Sequence, residues 1–387
     1  MSLPEDLLQY DLPVNQLFIA SQLRLEEERE QKEGESLQQL IRSQAATKDS
    51  LRTAEFLEKL PNELILQVLA HVPLEDLVRF SRTNRRLRHT SFDGSLWKRF
   101  DFSRRSRVLA LDEDSKRSFL GAFFFSALPV AGPNITHIYL NGFSSGDIDD
   151  SAILLLSRHC HGLKHFNFSG LESITEASIE AITKYCHKLE TLYLSNLKAV
   201  TDRSLALIGL HLPHLTFLDL SAFTLSSKIT DVGLLPVLRK CVNLQTLILV
   251  GCHLLSDESL VEMSLHNPEL KNLDCQGCFQ LTDMGIIKVL TNCRSLESLD
   301  ISYCWRCTDL PFRTTFPENL RTLSCQFCYQ LGDQTVVQVS NYPRLTFANF
   351  SYCCNLSLIS RDVLDAHGIV GVFDGCKSIT GSEIDLN

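Results

Sequence analysis

Cysteine is the residue type whose spacing in this sequence most directly suggests chemistry. The chain of 387 residues has 14 cysteines, all between Cys160 and Cys376. Three pairs are separated by two residues, namely Cys275 with Cys278, Cys304 with Cys307, and Cys325 with Cys328. Such pairs are typical of structural zinc sites and of thiol redox motifs. Metal binding and disulfide exchange are therefore the first hypotheses to weigh.

The positions of the cysteines within a repeated pattern favour packing instead. From Asn134 onward a leading apolar residue recurs every 24 to 29 residues, at Ile135, Leu163, Leu189, Leu215, Leu244, Leu270, Leu296, Leu320 and Leu345. Six cysteines occupy one slot of this pattern, the slot that Phe143, Leu171, Leu197 and Phe223 fill in earlier repeats: Cys252, Cys278, Cys304, Cys328, Cys353 and Cys376. Four share a slot at the end of the following apolar segment: Cys160, Cys186, Cys241 and Cys293. Cysteine in a repeated apolar slot packs as a small apolar residue. We expect reduced, metal-free thiols, with zinc and redox use kept as alternatives.

Other residues that could carry chemistry are scattered. His137, His165 and His187 have no cysteine or carboxylate at a catalytic or metal-binding spacing, and the sequence has no Gly-rich phosphate loop or nucleophile elbow. We therefore expect no catalytic residue, no metal and no cofactor, so the chain is not predicted to be an enzyme.

The repeats predict the elements that position these side chains. Each unit contains a Leu-x-x-Leu-x-Leu core, which alternates as a short strand with one buried face. A turn follows, then Thr or Ser before Asp, as at Thr201-Asp202 and Thr282-Asp283. The hydroxyl can cap a helix whose positive end the Asp complements. Each unit is thus predicted to be one strand and one helix, except that Pro311 should replace the helix of the seventh unit with irregular backbone.

Residues 56 to 100 predict a small helical domain. Pro61 can begin a helix and Pro73 ends it, with Val68, Leu69 and Val72 on one apolar stripe. Short helices are expected at Asp76–Phe80 and Asn84–His89, and Trp97 is a large apolar anchor. About 45 residues cannot bury a self-sufficient core, so this domain should complete its core against something else. An ordinary three-helix bundle is the plain alternative.

Two resemblances follow from these residues. Leu60-Pro61-x-Glu63-Leu64-Ile65, then Val68-Leu69, Asp76-Leu77, Asn84-Arg85-Arg86-Leu87 and Leu96-Trp97, resemble the F-box from end to end. The period near 26 resembles the cysteine-containing leucine-rich repeats that commonly follow an F-box. The resemblance implies an α/β fold, with a short three-helix F-box before a curved solenoid that has parallel strands inside and helices outside. The expected domains are 1–53, a mobile or partly helical segment; 56–102, the F-box; 103–133, a helical linker capping the solenoid; and 134–387, about ten repeats.

The resemblance also implies partners. The F-box should dock on a Skp-type adaptor, and through it on cullin and a RING subunit, with these expected contact residues: Leu60, Pro61, Leu64, Ile65, Val68, Leu69 and Leu77. An unknown target protein should bind the concave face of the repeats. The implied function is substrate recognition for a ubiquitin ligase of the SCF type, acting through effective concentration and orientation of the target. A structural scaffold subunit that retains an F-box, for example cytoskeletal or axonemal, is the alternative.

Strand alternation predicts which side chains point to that concave face. The residues between buried positions should face outward in one column: Tyr139, Asn167, Tyr193, Asp219, Ile248, Asp274, Asp300, Ser324 and Asn349. His137, His165, Phe217 and Phe347 stand beside it. The aromatic residues and Ile248 are candidate anchors. The candidate target-binding set is Tyr139, Tyr193, Phe217, Asp219, Ile248, Asp274, Asp300 and Phe347, which favours a target segment with Lys or Arg beside an apolar anchor.

Charge and hydropathy exclude two further classes. A net charge of −9 argues against a chain that mainly holds phosphate backbones. The basic residues between Arg79 and Arg117 are interpreted as a solvated or partner-facing rim, with nucleic-acid contact as the alternative. The apolar stretch from Ser118 to Ala131 is too short to span a bilayer and is expected to form a core helix that ends before Pro129. The sequence start does not resemble a secretory signal, so a cytoplasmic or nuclear location is expected.

Overall fold

The computed structural model describes residues 60–72, 76–77, 80–81, 85–102, 113–144, 146–222 and 227–376. The chain divides into two compact units, one of residues 1–138 with 159–162, the other of residues 139–158 with 163–387. The expected N-terminal segment 1–53 lies outside the described residues, as do the slot residue Phe223 and the basic residues Arg104, Arg105 and Arg107.

The first unit contains the predicted small helical domain. Its elements are α1 Asn62–Leu69, α2 Arg85–Ser91, a 3₁₀ turn at Gly94–Trp97, β1 Arg99–Asp101, α3 Glu113–Ala122 and α4 Leu128–Ala131. Pro61 is the N-cap of α1, as its missing N–H allows. Leu77 and Leu87 are buried. Trp97 is fully buried, and its indole N–H donates to the Ser91 carbonyl at 2.7 Å.

The small domain completes its core on the segment that follows it. The Trp97 ring lies 5.8 Å from Phe123, and Phe100 stacks on Phe123 at 3.8 Å. Phe102 packs edge-on against Phe100 at 4.2 Å. This aromatic cluster supplies the apolar area that about 45 residues cannot provide alone.

The prediction that a helix ends before Pro129 is wrong. Residues Phe123–Ala127 form a π-helical stretch between α3 and α4, in which the Leu128 N–H donates to the Phe123 carbonyl. A π-helical turn spaces its hydrogen bonds by five residues instead of four. Pro129 therefore falls in the first turn of α4, where no proline N–H is needed. None of the helices described here is long and apolar enough to cross a membrane.

The second unit repeats strand, turn and helix. Strands β2 His137–Tyr139, at its start, and β3 His165–Asn167 are followed by β4 Thr191–Tyr193, β5 Phe217–Asp219, β6 Thr246–Ile248, β7 Asn272–Asp274, β8 Ser298–Asp300, β9 Thr322–Ser324, β10 Phe347–Asn349 and β11 Val370–Val372. Strands β3 to β11 follow one another in chain order in one sheet, and the pairs from β3 to β11 for which the register is given are parallel. The helices are α5 Asp150–His159, α6 Glu176–Tyr185, α7 Asp202–His211, α8 Asp231–Lys240, α9 Asp257–His266, α10 Asp283–Asn292, α11 Leu310–Thr314, α12 Asp333–Val339 and α13 Leu358–Ala366.

The predicted helix caps are confirmed, and the Asp beside each cap has a second role. The hydroxyls of Thr230 and Ser256 accept from backbone N–H groups at the starts of α8 and α9. The Asp that opens each helix reaches the next repeat: Asp231 accepts from the Ser256 N–H at 3.1 Å and from its hydroxyl at 2.7 Å. The same pattern joins Asp202 to Thr230, Asp257 to Thr282, Asp283 to Thr308 and Asp333 to Ser357. We call this series the Asp ladder.

The prediction for the seventh repeat is wrong in part. Its helix is shortened to the five residues of α11 but is not replaced by irregular backbone. Pro311 sits in the first turn, where its missing N–H breaks no intrahelical hydrogen bond.

The cysteines pack as the repeat pattern predicts. Thirteen of them are buried and Cys354 is exposed. The six that share the slot after the strand donate to carbonyls of the preceding repeat, as Cys278 does to Leu249 at 3.3 Å and Cys353 to Cys325 at 3.0 Å. Burial raises the pKa of the Cys241 and Cys353 thiols to about 12, which keeps them protonated and weakly nucleophilic. In the described part of the chain, no three His, Cys, Asp or Glu residues are grouped to hold a metal ion.

Candidate interaction surfaces

Helix α1 presents two different faces. Ile65 is 1% exposed and Leu69 is 3% exposed, whereas Leu64 on the other side is 44% exposed. Pro61 is also exposed, and Leu60 and Val68 are partly exposed. We call Leu60, Pro61, Leu64 and Val68 the α1 patch. These apolar side chains form a surface and are not part of the core of the domain.

The predicted set of adaptor contacts is therefore divided by burial. Ile65, Leu69 and Leu77 are buried within the first unit, so they hold the helix in place rather than presenting side chains to a partner. The sequence could not separate the two groups, because all seven residues are apolar and lie on a short helical pattern.

Arg86 fixes the start of α1. Its guanidinium donates to the Asn62 carboxamide oxygen at 3.0 and 2.8 Å and to the Leu60 carbonyl. These bonds join α2 to the residues just before and at the beginning of α1. Arg85, Arg88 and Lys98 are exposed, as the predicted basic rim requires, but Lys116 is buried. That this rim faces a partner stays a prediction.

The second candidate surface is the side of the sheet away from the central residue of each strand, which is Leu in β4 to β9. We call this surface the strand face. Each repeat contributes three residues to it: the first and third residues of the strand, from β3 to β11, and the residue two positions after the third. Its middle column is the predicted one: register pairs Tyr193 with Asp219, Asp219 with Ile248, Ile248 with Asp274, Asp274 with Asp300, and Asp300 with Ser324.

The predicted exposure of six residues of this column is wrong. The buried six are Asp219 at 7% exposed, Ile248 at 4%, Asp274 at 2%, Asp300 at 0%, Ser324 at 1% and Asn349 at 4%. Neighbouring strands lie about 4.8 Å apart, so each middle side chain is flanked closely on both sides. The carboxylates also turn back on the chain, because each accepts from the backbone N–H two residues later: Ser221 to Asp219, Gln276 to Asp274 and Ser302 to Asp300. The acidic column is thus part of the packed sheet and not a solvated strip.

The aromatic candidates remain partly accessible. Tyr139, Tyr193, Phe217 and Phe347 are half-buried. The rings of Tyr193 and Phe217 pack together with centroids 4.4 Å apart. These two rings form a continuous apolar area at β4 and β5 that fills no core.

Three acidic residues of the middle column differ in their hydrogen bonding. Both oxygens of Asp219 are satisfied, Oδ1 by the N–H and hydroxyl of Ser221 and Oδ2 by the hydroxyl of Ser195. Asp274 and Asp300 each use only Oδ1, and their Oδ2 atoms have no hydrogen-bond partner among the described residues. Burial raises the pKa of Asp300 to about 6, opposed by the hydroxyl and N–H of Ser302. Burial and the charge of Asp300 raise the pKa of Asp274 well above its usual value.

A further feature, a stack of three partly exposed aromatic rings, was missed from the sequence. Tyr303, Phe327 and Tyr352 have φ of 63°, 55° and 61°, in a slot that Gly251 and Gly277 occupy in earlier repeats. The three rings stack at 4.4 and 4.3 Å. Residues other than glycine rarely adopt this left-handed conformation. The signal in the sequence was an aromatic residue in a glycine slot of the repeat, which becomes visible once the repeats are aligned.

Comparison with known proteins defines the class of each part. Residues 57–103 match the family model described as F-box-like. The chain therefore contains an F-box-like domain, and the strand–helix repeats after it form a leucine-rich-repeat solenoid. No curated protein matches the chain significantly.

Two solved structures are similar to the chain. One is that of Rad7 in complex with Elc1 from yeast, with 17% identity and a TM-score of 0.44, over 83% of this chain and 94% of that chain. The other is the leucine-rich-repeat protein LegL7 from Legionella pneumophila, with 14% identity and a TM-score of 0.39, over 62% of this chain and 82% of that chain.

Proposed function

We propose that this protein is a non-catalytic substrate-recognition adaptor of a cullin-based ubiquitin ligase of the SCF type. In this proposal the α1 patch docks on a Skp-type adaptor, which connects to cullin and a RING subunit, and the strand face binds the target. Chemistry is performed by a ubiquitin-conjugating enzyme brought close to the target, in the cytoplasm or the nucleus.

The observation that carries the proposal is the α1 patch within an F-box-like domain. A helix that buries Ile65 and Leu69 still presents Leu64 and Pro61 to solvent. Exposed apolar side chains on an ordered helix form the usual core of a protein interface, while a basic rim suits an acidic partner. The half-buried rings of Tyr193 and Phe217 support a separate target surface on the solenoid.

The adaptor half of the proposal is tested by Leu64→Asp. A charge placed at the centre of a desolvated interface has no partner there, so a purified Skp-type adaptor should no longer co-purify with the variant. Leu210→Asp is the matched control, because Leu210 is a 66% exposed leucine on α7 of the solenoid. Adaptor recovery that is equal for wild type and Leu64→Asp contradicts the docking surface.

The target half is tested by affinity purification during proteasome inhibition. Partners that accumulate with wild type should be lost from Tyr193→Ala with Phe217→Ala, while the adaptor is retained. Recovery of cullin with wild type supports the ligase role. A stoichiometric assembly that lacks cullin would instead identify the protein as a scaffold subunit.

A further inference from the structure

Three buried acceptor atoms meet on the strand face without donors. Asp274 and Asp300 are register partners on β7 and β8, and Gln276 lies two residues after Asp274. Asp274 Oδ2, Asp300 Oδ2 and Gln276 Oε1 are all closed to solvent and have no hydrogen-bond partner among the described residues. Buried polar atoms are nearly always paired, so a cluster of three unpaired acceptors points to a missing donor.

The neighbouring hydroxyls supply that donor only in part. Ser302 and Ser324 bond to one another at 2.9 Å, which uses one of their two protons. Both hydroxyls lower the pKa of Asp300, but neither makes a hydrogen bond to Asp300 Oδ2. The described groups that interact electrostatically with the pair are one acid and five thiols, namely Asp219, Cys275, Cys278, Cys304, Cys325 and Cys328. No cation is among them. The cluster therefore combines acceptor oxygens with negative charge and lacks a positive partner.

The column shows that this arrangement is not simply a property of the repeat. Asp219, in the same column, satisfies both oxygens through Ser195 and Ser221. Asn349 in β10 uses its carboxamide oxygen to accept from the Ser351 N–H at 3.0 Å. Acceptors are left without partners at β7 and β8, beside the apolar side chains of Ile248 on β6 and of Val250 two residues after it.

The group that complements three separate acceptors is an ammonium. Lysine carries three N–H donors and no acceptor, as a compact charge on a flexible four-carbon stem, whereas the planar arginine fork suits a single carboxylate. We propose that Asp274, Gln276 and Asp300 receive the ammonium group of one lysine in the target. This inference rests on the proposed binding of the target to the strand face and names the side chain that is recognised.

Seating a lysine requires the cluster to open. The three atoms are closed to solvent in this structure, while Asn272 and Gln276 at the edge of the cluster are only half-buried. If these two side chains move aside, the aliphatic part of the lysine side chain can pass between them to the acceptor atoms. Its ammonium then replaces the proton that the buried pair otherwise needs, so binding should strengthen as pH rises through the raised pKa of Asp300.

The test uses the full chain purified with its adaptor and three immobilised nonapeptide libraries. The libraries share random flanking residues and differ only at the centre, which is lysine, acetyl-lysine or norleucine. We expect wild type at pH 7.5 to retain the lysine library at least about tenfold better than the other two, and to lose most of this preference at pH 5.5. Acetylation removes the charge and two donors while it keeps the stem, so it isolates the ammonium.

Variants then locate the site. Asp274→Asn with Asp300→Asn should abolish the preference for lysine, whereas Asp365→Asn, at an exposed acid on α13 outside the strand face, should retain it. Equal retention of lysine and acetyl-lysine by wild type overturns the inference without the need for any variant, and leaves the pair as two acids that share a proton. A lysine preference that survives the double variant overturns it as well. Both outcomes are distinct from failure of the proposed function, which is measured by adaptor and target recovery with Leu64→Asp and Tyr193→Ala.

Discussion

Replacement of Asp300 by Asn should remove a pH-dependent loss of stability. Asp300 is completely buried, and its pKa rises from 3.8 to about 6 in the folded protein. The folded state therefore holds a proton that the unfolded state releases between these two values. A shift of this size costs about 3 kcal/mol of folding free energy once the pH is well above 6, and the cost disappears below about pH 4.

The sign of the effect follows from proton binding. Because Asp300 binds more protons in the folded than in the unfolded state in this window, its contribution to the free energy of unfolding falls as pH rises from about 4 to about 6 and is level above that. Asn has nearly the same shape, cannot ionise, and can still accept from the Ser302 N–H with its oxygen. Asp300→Asn should thus be more stable than wild type at pH 7.5, by up to about 3 kcal/mol, and this advantage should shrink to about 1 kcal/mol at pH 4.5.

Urea unfolding at pH 4.5, 5.5, 6.5 and 7.5 measures this difference. Other carboxyls, such as Asp333, titrate in both proteins and cancel when wild type is subtracted from variant. Asp365→Asn, an exposed position on α13, is the control and should show no change with pH. Because Asp274 and Asp300 interact, Asp274→Asn should also flatten the slope. A difference that is constant with pH, or one that grows as pH falls, refutes the burial of an uncompensated charge.

Three further perturbations probe the solenoid. Gly251→Ala should lower the free energy of unfolding by several kcal/mol, because φ is +73° and a Cβ would lie 2.0 Å from the Ala222 carbonyl oxygen. Gly170→Ala is the control: φ is +76° but the space around it is open, so the loss should be only about 1 to 2 kcal/mol. Urea unfolding of both variants measures the difference. A thiol reagent should react quickly with Cys354 alone in the native protein and with all 14 cysteines after denaturation. Cys278→Ala should lower the free energy of unfolding by about 1 kcal/mol, without loss of any bound ion in elemental analysis. Several fast-reacting thiols or stoichiometric zinc would contradict the packing role of the cysteines. Asp231→Ala should lower the free energy of unfolding by about 2 kcal/mol, since it leaves the Ser256 N–H and hydroxyl without their acceptor. If the loss is no larger than that caused by replacing an exposed Asp with Ala, the Asp ladder contributes little to stability.

The repeat architecture could be predicted because its signals are local. The step of 24 to 29 residues, the strand alternation and the hydroxyl before each helix depend on neighbouring residues only. Thr230 and Ser256 cap their helices as expected, and Cys278 is buried in its repeat slot. The F-box resemblance was likewise carried by residue types in a fixed order, and the family match over residues 57–103 confirms it.

The errors arose where a side chain's environment depends on residues distant in sequence. Alternation placed Asp274 and Asp300 in the correct column, but exposure depends on how closely adjacent strands pack and on which groups the carboxylates find. The π-helical stretch before Pro129 resolves a conflict between a proline and the turn that precedes it, which composition does not reveal. Tyr303 in a glycine slot is tolerated where its ring stacks on Phe327 from the next repeat.

The Asp ladder has a direction. The carboxylate of one repeat accepts from the N–H and hydroxyl of the repeat after it, as Asp202 does from Thr230 and Asp257 from Thr282. Removing repeats from the carboxyl end leaves a carboxylate that water can solvate, whereas removing them from the amino end leaves a helix start without its acceptor. During synthesis, when the amino-terminal part folds first, each emerging repeat meets an acceptor that is already in place. The hydrogen bonds of the Asp ladder can therefore form one repeat at a time, from the amino-terminal end, during synthesis.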